Sequence, residues 1–386
     1  MQSRGIRRRG IGVMLAAMLA APVLPGVASA ACPAPGQWAT PAGDELDRAE
    51  LFAELAQADA VLLGERHDRM DHHRWQLGTL AALHGQRPDM VIGLEMLPRS
   101  VQPVLDEWVA GELDADAFLR DSDWYSHWGF DPALYWPILH FARVHDVPLV
   151  ALNAERTLVQ RLGQEGWEAV PEDERYGVSQ PADPPEGYRE YLVEVMERHP
   201  AGMERDPDQF IGSQLVWDRM MAAGIADVLG SSDEPPLVVG IIGSGHLQYG
   251  HGVPHQLADL GFDDAPVLLP REHRDDCSAA EPDLARAVFG ITDGDRFDLA
   301  TPLLGVQLRG DEGRGVIIQG VQSGSVGEAA GLEGGDRVLR AGDQAVERPS
   351  DLQRIVQRVT PGTWLPLEIE RDGEAEERVA RFPYGE

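Results

Sequence analysis

The chain has 386 residues, 43% of them hydrophobic, which suits a globular protein of more than one ordinary domain. All 33 of its basic residues are arginine, against 64 acidic ones, and the formal net charge of -31 disfavours nucleic acid or an anionic membrane as partner. Such a surface fits either a solubilising coat or life at high salt, where ions screen the self-repulsion.

Residues 1–30 read as a signal peptide rather than structure. Arg4, Arg7, Arg8 and Arg9 form a basic start, residues 11–24 an apolar stretch too short to span a bilayer, and Ala28-Ser29-Ala30 a cleavage pattern. Export by the Sec or the twin-arginine route to the periplasm is expected, with Ala31 as the mature N-terminus. Cys32 and Cys277 are the only cysteines, and in an oxidising compartment they most simply pair. The rival expectation, an outer-membrane lipoprotein acylated on Cys32, meets Ser29 where a lipobox wants a leucine-like residue. Nothing later in the chain is long and apolar enough for a transmembrane segment.

Apolar spacing predicts a helix over residues 45–57. The apolar run 60–63 then reads as a buried strand, stopped by Gly64 and followed by Glu65, Arg66, His67 and Asp68. A helix over 72–85 begins at His72 and His73. A second apolar run, 90–94, ends in Glu95. Short helices are expected over 102–108 and 114–123, an aromatic loop over 124–130, and a helix over 135–145. The third run, 148–152, ends in Asn153. Residues 163–190, rich in Pro, Glu and Gly, read as a mobile loop of the kind that covers a site. A long helix over 209–229 carries Gln214 and Asp218 one turn apart. The fourth run, 237–242, leads into Gly243-Ser244-Gly245-His246. If these strands are parallel, Glu65, His67, Glu95, Asn153 and His246 meet at one sheet edge, where open α/β sheets place ligands.

Residues 286–301 read as a linker. From Pro302 the pattern changes to short strands and glycines, with an amphipathic helix over 349–359 and a final hairpin. The expected architecture is therefore an α/β domain over 31–285, with a mostly parallel sheet flanked by helices, followed by a small β-rich domain over 302–386.

Two resemblances join this reading. Leu303-Leu304-Gly305-Val306, the run from Ser325 to Leu332 and Gly335-Asp336-Arg337-Val338 resemble a bacterial periplasmic PDZ domain. That resemblance implies a groove at Leu304, Gly305, Val306 and Leu308 for the C-terminus of a peptide or protein, which pairs with an edge strand. The run from Leu63 to Asp68, Gly93-Leu94-Glu95-Met96, Ala151-Leu152-Asn153-Ala154, Gln214 with Trp217-Asp218, and Gly243-Ser244-Gly245-His246 with Gly252-Val253-Pro254 resemble the ChaN-like haem-binding family. Its superfamily also holds Tiki/TraB-type and erythromycin-esterase-like enzymes. The resemblance implies an exported protein concerned with haem or iron, and a homodimer is compatible with it.

The site residues allow several chemistries. Glu65, His67, Glu95 and His246 carry the donors that hold zinc, manganese or iron. As a hydrolase, the chain would use Glu65, His67 and His246 as catalytic residues, with Glu65 the general base. A structural reading makes the same residues a hydrogen-bonded network pinning strand ends. Asp68, His72, Asn153, Gln214, Asp218 and Tyr249 are further ligand-binding candidates, and His and Tyr are both haem axial ligands. No Gly-x-Ser-x-Gly elbow supports a serine hydrolase. The expected function is exported haem or iron binding in uptake or handling, with a PDZ domain that docks a partner. The alternatives are a metal-dependent or Glu/His-assisted hydrolase, and an adaptor whose first domain is inert.

Overall fold

The computed structural model describes residues 32–198, 206–272, 275, 277, 281–292, 302–310 and 314–384. The expected signal peptide and its cleavage pattern lie outside these residues.

The first unit opens with β1 (Trp38–Ala39), α1 (Arg48–Leu55), β2 (Ala60–Glu65), α2 (Met70–His84) and β3 (Met90–Pro98). Four helices follow: α3 (Gln102–Val109), α4 (Ala115–Asp121), α5 (Trp124–His127) and α6 (Trp136–Val144). Then come β4 (Leu149–Asn153), α7 (Arg156–Glu165), α8 (Glu186–Arg198), α9 (Pro207–Leu229) and β5 (Leu237–Gly243). The unit closes with α10 (Val253–Asp259), β6 (Val267–Glu272) and β7 (Ala287–Ile291). These strands form one sheet in the order β1-β7-β6-β2-β5-β3-β4, parallel throughout except for β1.

Strands β2, β3 and β5 are buried along their whole length, which is why they read as continuous apolar runs rather than alternating ones. Leu63, Ile92 and Ile241 join one core with α2, α3 and α6, while Leu62, Val238 and Ile242 join another with α9 and α10. The sheet is thus covered on both faces, and its strand ends are the natural place for a cleft.

Three segments differ from the sequence reading. The segment read as a linker contributes β7, because Ala287, Val288 and Ile291 bury themselves by extending the sheet beside β6. The segment read as a mobile loop leads into α8, whose Tyr188 and Leu192 pack on Ile211 of α9. Strand β3 does not stop at Glu95 but runs to Pro98, its register against β4 slipping between Leu94 and Pro98. Such irregularities re-aim side chains, and Glu95 sits within this one. Cys32 and Cys277 form a disulfide, with Cα atoms 5.1 Å apart, that ties the start of the described chain to the segment after β6.

The C-terminal unit comprises β8 (Val306–Gly310), β9 (Val316–Val321), α11 (Val326–Ala329), β10 (Arg337–Ala341) and β11 (Gln344–Ala345), then α12 (Pro349–Gln357), β12 (Trp364–Arg371) and β13 (Glu374–Arg381). Its antiparallel sheet runs β13-β12-β10-β9-β8, so β8 is an edge. Buried Asp336 accepts both Nε–H and a terminal N–H of Arg371, at 2.6 and 2.7 Å, locking β10 to β12. Helix α12 also reaches the first unit: buried Arg354 donates to Asp116 of α4 at 2.9 Å, and Arg348 pairs with Asp123 at 3.0 Å.

Candidate functional site

The parallel register sets Glu65 of β2 directly beside Gly243 of β5. Glycine at 243 leaves room for the His67 ring. A Cβ would come within 2.9 Å of the His67 ring and 3.4 Å of Glu95 Oε2. The close approach lets the backbone N–H of Gly243 donate to Glu95 Oε2 at 2.5 Å. Asn153, at the end of β4, holds the same stretch by donating to the Glu95 carbonyl at 2.8 Å.

His67 pairs through Nδ1 with Glu65 Oε1, and its ring lies against Trp128 and Phe130, with centroids 4.5 and 5.1 Å away. Burial works against charge on this imidazole, but the attraction of Glu65, its hydrogen bond, and Glu95 and Asp68 prevail, raising its pKa to about 9. The other oxygen, Glu65 Oε2, is buried and meets no hydrogen-bond partner among the described residues. Glu65, His67 and Glu95 each offer a ligand atom, all within 4.8 Å of one another.

His246 approaches from the turn after β5. Its Nδ1 donates to Asp218 Oδ1 at 2.6 Å, and its Nε2 faces Glu95 Oε1 at 3.7 Å. Asp218 is fully buried on α9 and also accepts the Tyr188 hydroxyl of α8 at 2.8 Å. Burial again opposes charge on His246, and Asp218 and Glu95 overcome it, so its pKa is raised.

Two cavities flank this pair of histidines. One, of about 400 Å³, is bounded by Asp68, Tyr191, Gln214 and Ser244; the other, of about 250 Å³, by Glu95, Trp128, Asn153 and Trp217. Both touch His67 and His246. Glu65, His67, Asp68, Glu95, Asn153, Gln214 and His246 therefore border the cleft, with Asp218 directly behind His246.

Two expected ligand residues sit elsewhere. His72 turns away from the cleft: its Nδ1 accepts the Arg66 backbone N–H at 3.1 Å, and its Nε2 donates to buried Glu272 at 3.2 Å. Burial is the leading cause of its pKa falling to about 4, outweighing Glu272. Tyr249 lies on a surface turn, bonded to Glu281 at 2.5 Å, and borders neither cavity. His73, its neighbour, is buried and bonds the His67 carbonyl at 3.2 Å, so it shapes the loop that presents His67. Sequence reasoning missed Tyr188 and Tyr191. Their helical spacing with Leu192 and Val195 was the available signal.

In the C-terminal unit, Leu304, Gly305, Val306 and Leu308 line a cavity of about 570 Å³ whose far wall is Leu352 and Val356 of α12.

The model of the family described as "Haem-binding uptake, Tiki superfamily, ChaN" matches residues 51–257, more than half of the chain. The chain belongs to the ChaN-like haem-binding family. Its C-terminal unit is a PDZ domain, matched over residues 302–378. Among solved structures, the ChaN-like domain is similar to ChaN of Campylobacter jejuni, described with cofacial haem binding, at 18% identity over 65% of this chain and 95% of that one, with a TM-score of 0.46. The PDZ domain is similar to part of the HtrA-type protease AlgW with a decapeptide, at 20% identity over 22% of this chain and 29% of that one, with a TM-score of 0.20. It is also similar to the HtrA3 PDZ domain bound to a phage-derived ligand, at 20% identity over 20% of this chain and 82% of that one, with a TM-score of 0.19. No curated protein matches the chain. Among the described residues, no helix is long and apolar enough to cross a membrane.

Proposed function

We propose that this ChaN-like protein is exported to the periplasm and binds haem or iron for uptake or handling, while its PDZ domain docks the C-terminus of a peptide or partner protein. Family membership supports the haem-binding part. The observation that carries it is the posture of His246. One ring nitrogen is fixed by Asp218 and the other is turned to the cleft, which is how proteins orient an imidazole toward iron. Trp128 and Phe130 beside His67 add the aromatic wall that a planar macrocycle needs. Haem, when bound, supplies a redox-active iron; the chain's part is to orient His246, offer His67 and exclude water. The disulfide supports an oxidising compartment. The edge position of β8 beside an apolar groove supports peptide capture by strand addition.

The cluster of Glu65, His67 and Glu95 favours a second reading, a metal-dependent hydrolase. A buried carboxylate oxygen with no partner is costly unless a cation or proton meets it, and mixed carboxylate and imidazole donors suit zinc, manganese or iron. Glu65, His67 and Glu95 would hold the cation, which would supply Lewis acidity for hydrolysis.

Haem titration of the purified chain, followed by its visible absorbance, together with metal analysis, separates the two. Saturable haem binding that is lost in His246→Ala supports the first reading. A tightly held cation with no haem binding overturns it in favour of the second.

A further inference from the structure

Helix α12 is shared between the two domains. On one side, Leu352, Gln353, Val356 and Gln357 close the peptide cavity opposite β8. On the other, the helix packs against α4 and α5 of the ChaN-like domain. There buried Arg354 donates from Nη1 to Asp116 at 2.9 Å, Arg358 bonds the same carboxylate, and Arg348 pairs with Asp123 at 3.0 Å. This contact is lightly held. Arg354 Nε, Ser350 Oγ and Asp123 Oδ1 are buried and meet no hydrogen-bond partner among the described residues. A buried ion pair stabilises little when polar atoms around it go unmet, so a contact on the groove side of α12 can shift the helix.

Asp123 leads straight to the cleft. It stands in the left-handed region, at a φ of 46°, and starts α5. Its carbonyl accepts the backbone N–H groups of Ser126 and His127 at 2.9 and 3.1 Å. Fully buried Trp124 donates its indole N–H to the Phe130 carbonyl at 2.8 Å, and its own carbonyl accepts the Trp128 N–H at 2.8 Å. These bonds join α5 to the two rings that lie against His67 and border the smaller cavity of the cleft. One helical turn thus separates the residue gripped by Arg348 from the aromatic wall beside His67.

We propose that a peptide C-terminus seated in the PDZ groove fixes α12 and, through Asp123 and α5, fixes Trp128 and Phe130 against His67, so that the cleft takes its ligand more tightly. The proposal rests on the reading of the groove as a peptide site and of the cleft as a haem site. A peptide paired with β8 packs alternate side chains on Leu352 and Val356, and so restrains the helix whose far side grips Asp116 and Asp123. A wall already ordered costs the incoming ligand less to order. By reciprocity, a filled cleft tightens peptide binding by the same factor.

The test uses the full chain labelled with fluorotryptophan, a valine-terminated decapeptide selected by display on that chain, and haemin. The variant Trp128→Phe identifies the fluorine resonance of Trp128. Saturating peptide shifts that resonance and, in the unlabelled chain, strengthens haemin binding about fivefold or more by visible absorbance. The double variant Asp116→Asn, Asp123→Asn removes the carboxylates that α12 grips and alters no residue lining the groove or the cleft. It still binds the peptide saturably, but the Trp128 shift and the effect on haemin disappear. Arg348→Gln with Arg354→Gln breaks the same pairs from the PDZ side and acts alike. A Trp128 resonance unmoved by saturating peptide, a shift undiminished in both double variants, or a haemin affinity indifferent to peptide overturns the proposal. A chain that binds no peptide overturns this proposal and the peptide reading together. A chain that binds no haemin fails the haem reading instead, and the Trp128 resonance then decides the coupling alone.

Discussion

His246 and Asp218, 28 residues apart in sequence, are joined by a hydrogen bond of 2.6 Å that fixes which imidazole nitrogen faces the cleft. Asp218 is fully buried, and its second oxygen is occupied by Tyr188 at 2.8 Å. The three residues come from α8, α9 and the turn after β5, so the posture of His246 depends on how the helices pack over the sheet.

Asp218→Asn should therefore leave the fold intact but weaken haem or cation binding about tenfold to a hundredfold, the usual cost of losing a ligand's hydrogen-bond partner. Titration of the purified variant checks this. Native affinity in Asp218→Asn would remove Asp218 from the site. Tyr188→Phe strips a buried carboxylate of one donor and should cost about 1–3 kcal/mol in denaturant unfolding.

His72 supplies a pH dependence. Its folded pKa is lowered to about 4 against an ordinary value near 6.5, so between these values the unfolded chain binds a proton that the folded chain does not. The neutral form's contribution is fully present above about pH 6.5 and declines as the pH falls toward about 4. Compared with a non-titrating His72→Gln variant, the native chain should lose on the order of 3 kcal/mol more over that interval. Parallel stability curves for the two proteins between these pH values would show that His72 is not the titrating group.

The disulfide predicts no free thiol in the native protein, since the chain has only Cys32 and Cys277. Thiol labelling under denaturing, non-reducing conditions should find none, and reduction should lower stability by about 2–5 kcal/mol. Two labelled cysteines, or an acylated Cys32, would contradict this.

The PDZ groove should prefer peptides with a free carboxylate and an apolar last residue, because Leu304, Val306, Leu352 and Val356 line it. Amidating the peptide, or the substitution Leu308→Asp, should weaken binding about tenfold or more in a fluorescence anisotropy titration. A screen that returns only carboxylate-independent binders would argue for another use of the edge strand.

Much of this protein follows from its sequence alone. The runs ending near Glu65, Asn153 and Gly243 announced buried parallel strands, since a strand covered on both faces has no polar alternation to disguise it. That placed Glu65, His67 and His246 near one edge, while the resemblance to a PDZ domain brought Gly305 and Leu308 together, and both line the cavity of the C-terminal unit. Tertiary structure decided what periodicity does not encode. His72 and His73 are adjacent, yet one turns to Glu272 and the other supports the His67 loop, because the direction of each depends on which partner the fold brings within reach. Tyr188 lies in a stretch whose proline- and glycine-rich start disguised a helix, and only packing on α9 carries its hydroxyl to Asp218. The segment from Ala287 to Ile291 is too short to declare itself, and becomes a strand because β6 offers it an open edge. Local sequence sets which elements form and which residues end them. Long-range contacts set which of those residues meet, since a side chain's direction at a strand end costs little by itself and is fixed by its partners.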